Sequence, residues 1–537
     1  VENENFVLHY HETTKHHLRQ YAAGPEALDW DDQPEPFRWF DNAVQIPLPL
    51  TADHITTRYI DLYQPDSVQP QPLTLENVAA LFELSMGLSA WKQYGETKWA
   101  LRCNPSSGNL HPTEAYAVFA DDALFDAGVY HYLSRDHLLE QRCCLKESSS
   151  QTEGSFLIGL SSIHWREAWK YGERAFRYCQ LDVGHAIAAI GYAATTLGWH
   201  VTVQHDWSDA EIAALLGLDR DEDFGKAERE HADVMLLVST SSKVKAPDKE
   251  TLLNKAANGT WQGKANRLSG KHLYDWPIID QVTAAALKNE AETVQPGATP
   301  DYPAPLSLES ELTAAQLIRQ RRSGQAFDGA TAISAAAFFR MLDMTLPRPQ
   351  LPPWDSNPTA AQLNLILFVH RVEGIRPGLY ALIRNSAAAE AFKTSLGRTE
   401  FQWQPVEGCP AHIPLYNLVH ANGQKLAATL SCHQGIAAQG CFSLGMLADI
   451  GSADLDHHPW HYRTLFWEAG MVGQVLYLEA EAAGVRGTGI GCYFDDAVHE
   501  LLGIGDKQWQ SLYHFTVGGP LVDARLQTIA PYAHLDR

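Results

Sequence analysis

The pattern of apolar and polar positions occurs twice along the chain. From Arg177 it reads RYCQLDVGHAIAAIGYAATTLGWHVTVQHDWSDAEIAALLGL, and from Arg463 it reads RTLFWEAGMVGQVLYLEAEAAGVRGTGIGCYFDDAVHELLGI. The offset is 463 − 177 = 286 positions, and no gap is needed. Arg177 meets Arg463, Gly184 meets Gly470, Gly198 meets Gly484, Thr202 meets Thr488 and Asp209 meets Asp495. Each copy opens with a run that is apolar almost all round, which predicts a buried helix. Gly198 or Gly484 stands where a left-handed residue would close it. In the first copy Gly184, Ala186, Ala188, Ala189, Gly191, Ala193 and Ala194 line this helix. They suit either an ordinary core helix or one that another backbone approaches closely. A short strand and a second helix follow. Ser208 and Glu211 have the spacing of a capping box at the start of that helix. Both copies end in strand-like runs, ADVMLLVST and LYHFTVGG.

Upstream the correspondence is looser but persists. LTLENVAALFELSMGL resembles AISAAAFFRMLDMTL, and GVYHYL resembles GLYALI. We therefore expect two related domains, residues 1–245 and 306–537. Residues 246–305, rich in Lys, Asn, Gly and Pro and ending in VQPGATPDYPAP, are expected to be a linker. Two such halves predict a pseudo-twofold unit inside one chain, with less need for a second copy, so a monomer is the expected state.

The differences between the halves point to chemistry. NPSSGNLHPTEAY, beginning at Asn104, has as its counterpart WDSNPTAAQLNLIL, which lacks the Ser-Ser-Gly-Asn core. IRQRRSGQAFDG, Ile318 to Gly329, has no basic equivalent in the first half, where HETTKHHL stands. Two guanidinium groups and a hydroxyl near a helix end can clamp a phosphate, although such a cluster alone is a weak signal. GVRGTGIGCYFDD places Gly484, Gly487, Gly489 and Gly491 against GWHVTVQHDWSD. Glycines there would let a flat ligand approach the backbone. Together the differences predict one composite site between the halves.

Composition narrows the classes. The chain has 537 residues, 45% hydrophobic and 20% charged, with a formal net charge of −23. That balance argues against nucleic acid and anionic membranes as partners. Eight cysteines without a C-x-x-C spacing suggest reduced thiols in a cytoplasmic setting. The stretch VENENFVLHYHETTKHH has no apolar signal core. Its histidines His9, His11, His16 and His17 are not expected to hold a metal, because a mobile N-terminal stretch rarely supplies fixed ligand geometry. No dinucleotide fingerprint, P-loop or nucleophile elbow occurs.

NPSSGNLHP, RRSGQAFD and EAGMVGQVLYLEAEAAGVRGTGIGCYFDD together resemble the nitroreductase family of flavin enzymes. With WKYGERAFRYCQLDVGH, Trp169 to His185, the chain resembles the SagB/ThcOx branch, which includes the azoline dehydrogenases, here in a tandem, fused form. The resemblance implies an α+β fold in which two nitroreductase-like domains make an intramolecular pseudo-dimer and share FMN. It implies that Arg321, Arg322 and Ser323 hold the phosphate and ribityl end, with Arg525 as a further phosphate ligand. Pro105, Ser106, Ser107 and Asn109 would border the ring, and Gly489, Ile490 and Gly491 would pass beside it. Gln325 stands where a basic residue is common. Lys170 and Tyr171 match a pair implicated in azoline oxidation; they could move a proton while hydride goes to flavin, or simply pack on the next helix.

The resemblance implies an FMN-dependent oxidoreductase acting on a small molecule or a modified peptide. An NAD(P)H-dependent nitro or quinone reductase is the alternative reaction, and a degenerate flavin-binding or interaction protein is the alternative class. The peptide-modifying enzymes usually work with a cyclodehydratase partner, of which this chain carries no sign.

Overall fold

A computed structural model describes residues 5–121, 124–145, 154–292 and 300–535. The fold is α+β, and each half is built on one antiparallel sheet. In the first half the strands run Thr260–Trp261, Leu138–Cys144, Gly128–Leu133, Thr113–Phe119, Ser155–Ser162, His231–Ser239, His200–Val203, with Val44–Pro47 also paired to Leu138–Cys144. In the second half they run Gln404–Pro405, Leu415–His420, Gly378–Leu382, Leu363–Val369, Phe442–Asp449, Trp509–Gly518, Arg486–Ile490. The last five strands of both orders correspond one to one, which is the repeat seen as structure. Strands such as Ser155–Ser162 and Phe442–Asp449 are buried along their whole length. Both faces are covered, so they read as apolar runs rather than alternations.

The repeated helices are Ala175–Thr196 and His461–Ala482. Gly198 and Gly484 take positive φ after them, at 67° and 73°, as the closing residues. Ser208 and Glu211 form the capping box of helix Asp209–Leu216. The two long helices cross at their aligned glycines. A Cβ on Gly184 would collide with the carbonyl oxygen of Trp467, and one on Gly470 with that of Leu181. Trp467 lies 286 positions after Leu181, so the two contacts are related by the repeat. Of the two readings of the small-residue helix, close backbone approach is the one realised. One apolar core runs through this crossing and into both sheets.

Ion pairs repeat the same symmetry. Arg177 Nη1 bonds Asp495 at 2.9 Å, and Arg463 Nη2 bonds Asp209 at 2.9 Å. Each arginine of one half grips the aspartate of the other. Burial alone would raise Asp495, but Arg174 and Arg177 hold it well below the usual carboxylate range. The chain ends are also exchanged. Helix Phe6–Thr13 belongs to the first half in sequence, yet the residues after it join the second: the His16 amide donates to Asp495 at 2.9 Å and Lys15 pairs with Asp496 at 3.0 Å. Strand Gln527–Ile529 pairs with Leu88–Tyr94 of the first half. The N-terminal histidine stretch is therefore ordered rather than mobile, and its rings take separate partners: His11 meets Tyr462, His16 the Ala22 amide, and His17 Asp496.

Residues 246–305 differ from a linker. They carry helices Lys249–Ala257 and Pro277–Ala285 and strands Thr260–Trp261 and Lys264–Ala265, which pair with first-half strands. Leu252, Ala256, Ile279 and Val282 are buried at helical spacing, a signal masked by the polar residues around them. Of VQPGATPDYPAP, residues 294–299 lie outside the described residues. Among the described residues no helix is long and apolar enough to cross a membrane.

The glycine crossing generates a stability prediction. Gly470→Val forces a side chain into backbone atoms of Leu181, Gly184 and His185 that cannot move aside, and should cost about 3 kcal/mol. Gly484→Ala meets nothing within 4 Å and should cost only about 1 kcal/mol, from its left-handed φ. Urea unfolding of both variants checks this; equal midpoints would mean that the crossing tolerates separation.

Candidate active site

A cavity of about 640 Å³ opens between the halves. Its walls come from the loop after strand Thr97–Arg102, from both long helices, from the segment after helix Ala314–Gln320, and from strand Arg486–Ile490. Of the residues singled out from sequence, Pro105, Ser106, Ser107, Asn109, Tyr171, Arg321, Arg322, Ser323, Gln325, Gly489, Ile490 and Gly491 all line it. More than two hundred positions of sequence separate the 105–109 loop from the 321–325 segment, yet they face one space.

The loop is held by its own polar groups. The Ser106 hydroxyl accepts from the His111 amide at 2.8 Å, and Asn109 Nδ2 donates to Ala100 O at 2.9 Å. The Ser107 amide donates to both oxygens of Asp182, at 3.1 and 3.2 Å. Gly108, Asn109 and His111 all have φ between 53° and 60°. The serines and asparagine thus shape the wall as well as facing the cavity. Tyr171 and Lys170 press on Gly108: a Cβ there would lie 2.5 Å from the Tyr171 hydroxyl and 3.1 Å from Lys170 Nζ. Lys170 itself stands behind Tyr171, its Nζ 5.3 Å from that ring's centre.

Asp182 was not singled out by sequence. It lies on helix Ala175–Thr196, and burial pushes its carboxyl up to about 7, against the bonds from Ser106 and Ser107. Nearby, Glu167 is buried with neither oxygen hydrogen-bonded, and burial, then Asp182, raises it well above the usual range. Burial and then Glu167 also keep the Tyr171 phenol protonated. One turn along the helix, His185 Nδ1 meets Gln474 Oε1 at 3.4 Å, so Nε2 accepts from the Tyr513 hydroxyl at 3.2 Å. Burial lowers His185 to about 3, leaving it neutral.

The opposite end is cationic. Arg321, Arg322, Arg486 and Lys92 share one wall. Burial and then mutual repulsion lower Arg322, to about 10, and Lys92. Among the described residues no carboxylate comes within ion-pairing distance of the three arginines. Glu481 lies in their field and also accepts from the Arg322 backbone amide. Arg321 Nη2 donates to Arg102 O at 3.0 Å, while its Nε is buried without a partner. Arg322 Nη2 donates to Ser89 O at 2.9 Å. Four clustered cations with no ion-paired carboxylate, in a chain of net charge −23, can attract an anion.

Two expectations change. Arg525 does not reach the cavity; it is exposed and its guanidinium is spent on Asp523 at 2.7 Å and on the Tyr94 ring. Arg486 stands in the wall instead; it was legible in GVRGTGIG but hidden among the glycines. Those glycines have a reason beyond ligand approach. A Cβ on Gly489 would strike the Tyr513 hydroxyl, and one on Gly491 the Tyr178 ring. The Gly489 amide already donates to the Tyr477 hydroxyl at 2.9 Å, which also meets Ser323 Oγ at 3.0 Å.

The repeat generates a second cleft, and it is narrower. Glu468, aligned with Asp182, accepts from the Gln362 amide at 2.8 Å and pairs with Arg384 at 2.5 Å. His205, aligned with Gly491, bonds Asn357 at 3.0 Å. A cavity of about 270 Å³ remains beside Trp354.

The nitroreductase family model matches residues 67–225 and 318–519, more than half of the chain. A candidate nitroreductase of Methanocaldococcus jannaschii is 26% identical over 156 residues, 27% of this chain and 75% of that protein. The crystal structure of a candidate nitroreductase from Anabaena variabilis superposes with a TM-score of 0.69 at 21% identity, covering 97% of this chain and 100% of that one. At that identity the likeness is one of fold, here including both halves. A candidate nitroreductase in complex with FMN from Exiguobacterium sibiricum aligns with a TM-score of 0.26 and 11% identity over 40% of this chain and 92% of that one.

The raised Asp182 gives a pH prediction. Its folded value lies above the unfolded one, so the folded chain keeps a proton that the unfolded chain loses above about pH 4. That stability is full below pH 4 and is lost as pH rises through 7. Asp182→Asn should remove up to about 1.4 kcal/mol per pH unit of this decline between pH 4 and 7. Urea midpoints at stepped pH check it; parallel profiles for the variant and the parent would show Asp182 to be charged throughout.

Proposed function

The chain belongs to the nitroreductase family, and from that premise we propose that it is an FMN-dependent oxidoreductase with one flavin between its halves, of the SagB/ThcOx dehydrogenase type. The observation that carries this is the cationic wall without ion-paired carboxylates at one end of a cavity whose other end holds Asp182, a carboxyl raised toward neutrality. The fit is supported in three ways. A volume of about 640 Å³ suits a cofactor with substrate beside it. The Arg321 Nε buried without a partner needs an acceptor. The corresponding cleft of the repeat is reduced to about 270 Å³ and holds the Glu468–Arg384 ion pair and His205 in place of a cationic wall and a glycine floor, which is why we infer one flavin and not two.

In this proposal Arg321, Arg322 and Arg486 hold the phosphate, with Lys92 beside them and Ser323 at the ribityl end. Pro105, Ser106, Ser107 and Asn109 form the wall along the ring, and Gly489, Ile490 and Gly491 the floor. When bound, FMN supplies the hydride acceptor, and the protein positions the substrate and manages the proton. Asp182 is the group best suited to take that proton, because its carboxyl titrates near neutrality. Tyr171, kept protonated, donates a hydrogen bond instead of acting as base. Lys170 packs beside Tyr171 and Gly108, and its charge acts on Glu167. A cavity containing a proton acceptor poised near neutral pH favours oxidation of a substrate C–N or C–C bond over simple hydride relay. The proposed substrate class is a small molecule or a modified peptide.

The test begins with the absorption spectrum of the purified chain and the FMN released on heating, expected at one per chain. Two per chain would overturn the single site, and a colourless protein that takes up no FMN would overturn the reading. Arg486→Ala should leave the fold unchanged by circular dichroism and weaken FMN binding about 10- to 100-fold, the worth of one charged hydrogen bond. Undiminished affinity would remove Arg486 from the phosphate site. Lys170→Ala should retain FMN and slow turnover of an azoline substrate. Bleaching by NAD(P)H with no azoline oxidation would instead favour the reductase.

A further inference from the structure

Two of the eight cysteines stand together in the cavity wall. Cys432 lies in the turn after helix Gln424–Leu430, and Cys492 follows strand Arg486–Ile490. The Phe494 amide donates to Leu430 O at 2.8 Å. Two residues on from Leu430 is Cys432, and two residues back from Phe494 is Cys492, so the antiparallel segments bring the thiols opposite each other. Gln434 Nε2 closes the far side by donating to Cys492 O at 3.2 Å. The two thiols act on each other, both are half-buried, and both line the cavity.

Their surroundings differ in the way an exchanging pair requires. His16 Nδ1 accepts from the Ala22 amide at 2.9 Å, which leaves Nε2–H to donate to the Cys492 thiol. The Cys432 thiol, the His16 ring and the Arg174 guanidinium favour the thiolate at Cys492, against burial. Cys432, in contrast, keeps its proton because it shares it with Cys492. Cys432 and His433 also adopt left-handed φ of 53° and 61°, unusual for side chains of this kind. Cys103, Cys143, Cys179 and Cys441 are buried, where burial raises each thiol, and Cys144 is exposed.

We propose that Cys432 and Cys492 form a dithiol–disulfide couple in the cavity wall, with Cys492 as the attacking sulfur and a low-molecular-weight disulfide as the oxidant. The Cys492 thiolate attacks one sulfur of that disulfide; its S–S bond breaks and one thiol departs, leaving a mixed disulfide on Cys492. Cys432 then attacks the Cys492 sulfur, passing its proton to the second departing thiol. Two protein thiols lose two electrons and become one disulfide, while the small disulfide gains them and becomes two thiols. The bond ties the turn at Cys432 to the end of the floor strand and removes a thiolate from the cavity. The couple requires no flavin, so its failure and that of the flavin reading are separate.

The test uses the full chain, with and without added FMN, in graded mixtures of reduced and oxidised glutathione. Peptide mapping should find a Cys432–Cys492 cross-link that dithiothreitol reverses. Cys432→Ser should stop the reaction at a glutathione adduct on Cys492, and Cys492→Ser should leave Cys432 unreacted, with thermal melting confirming that both variants fold. At neutral pH iodoacetamide should label Cys492 about tenfold or more faster than the exposed Cys144, as a stabilised thiolate does. Separate glutathione adducts on both cysteines with no cross-link, or labelling of Cys492 no faster than Cys144, would overturn the proposal.

Discussion

Everything in this molecule is arranged around one contact, the crossing of the two long helices at Gly184 and Gly470. Without side chains at these positions the backbones touch, each glycine lying against a carbonyl oxygen of the other helix. No larger residue permits that distance. The contact sets the pseudo-twofold axis, and the axis decides which side chains meet. Arg177 reaches Asp495 and Arg463 reaches Asp209 because the helices cross where they do. His185, next to Gly184, turns toward Tyr477, Gln474 and Tyr513 of the other half, while Asp182 holds the Ser107 loop.

A symmetric frame offers two equivalent clefts, and side chains decide their fates. At one, small residues and an alternately bonded loop leave space, and arginines without carboxylates surround it. At the other, a longer acid, Glu468, takes an arginine as counter-ion, and His205 stands where the first cleft has Gly491. The chain's strong negative charge does not forbid an anion site, because the arginines are concentrated on one wall and kept from neutralisation.

The cavity also separates two kinds of proton chemistry. Near Tyr171, burial raises Asp182 and, against the charges of Lys170 and Arg166, Glu167. Around Cys492, Arg174 and the His16 ring act in the opposite sense and favour an anion. Both effects come from the interface between halves: Asp182 lies on the first long helix and Arg174 at its start, Cys492 follows the second half's floor strand, and His16 is on an arm that crosses from one half to the other.

The sequence by itself determined the duplication, the buried small-residue helices with their glycine stops, and the capping box at Ser208, because these rest on local periodicity and spacing. It also determined which segments could carry chemistry, since loss of NPSSGN in one half and of RRSG in the other is visible without coordinates. Only the tertiary structure decided that Arg486, not Arg525, joins the cationic wall: both are basic residues in late segments, and what separates them is that Asp523 neutralises Arg525 on the surface. The roles of Asp182 and of the Cys432–Cys492 pair were equally illegible, because their chemistry comes from burial and from neighbours far away in sequence. Helices Lys249–Ala257 and Pro277–Ala285 escaped notice because they are short and polar on their outer faces, and the apolar positions that seat them have meaning only against the surface they cover.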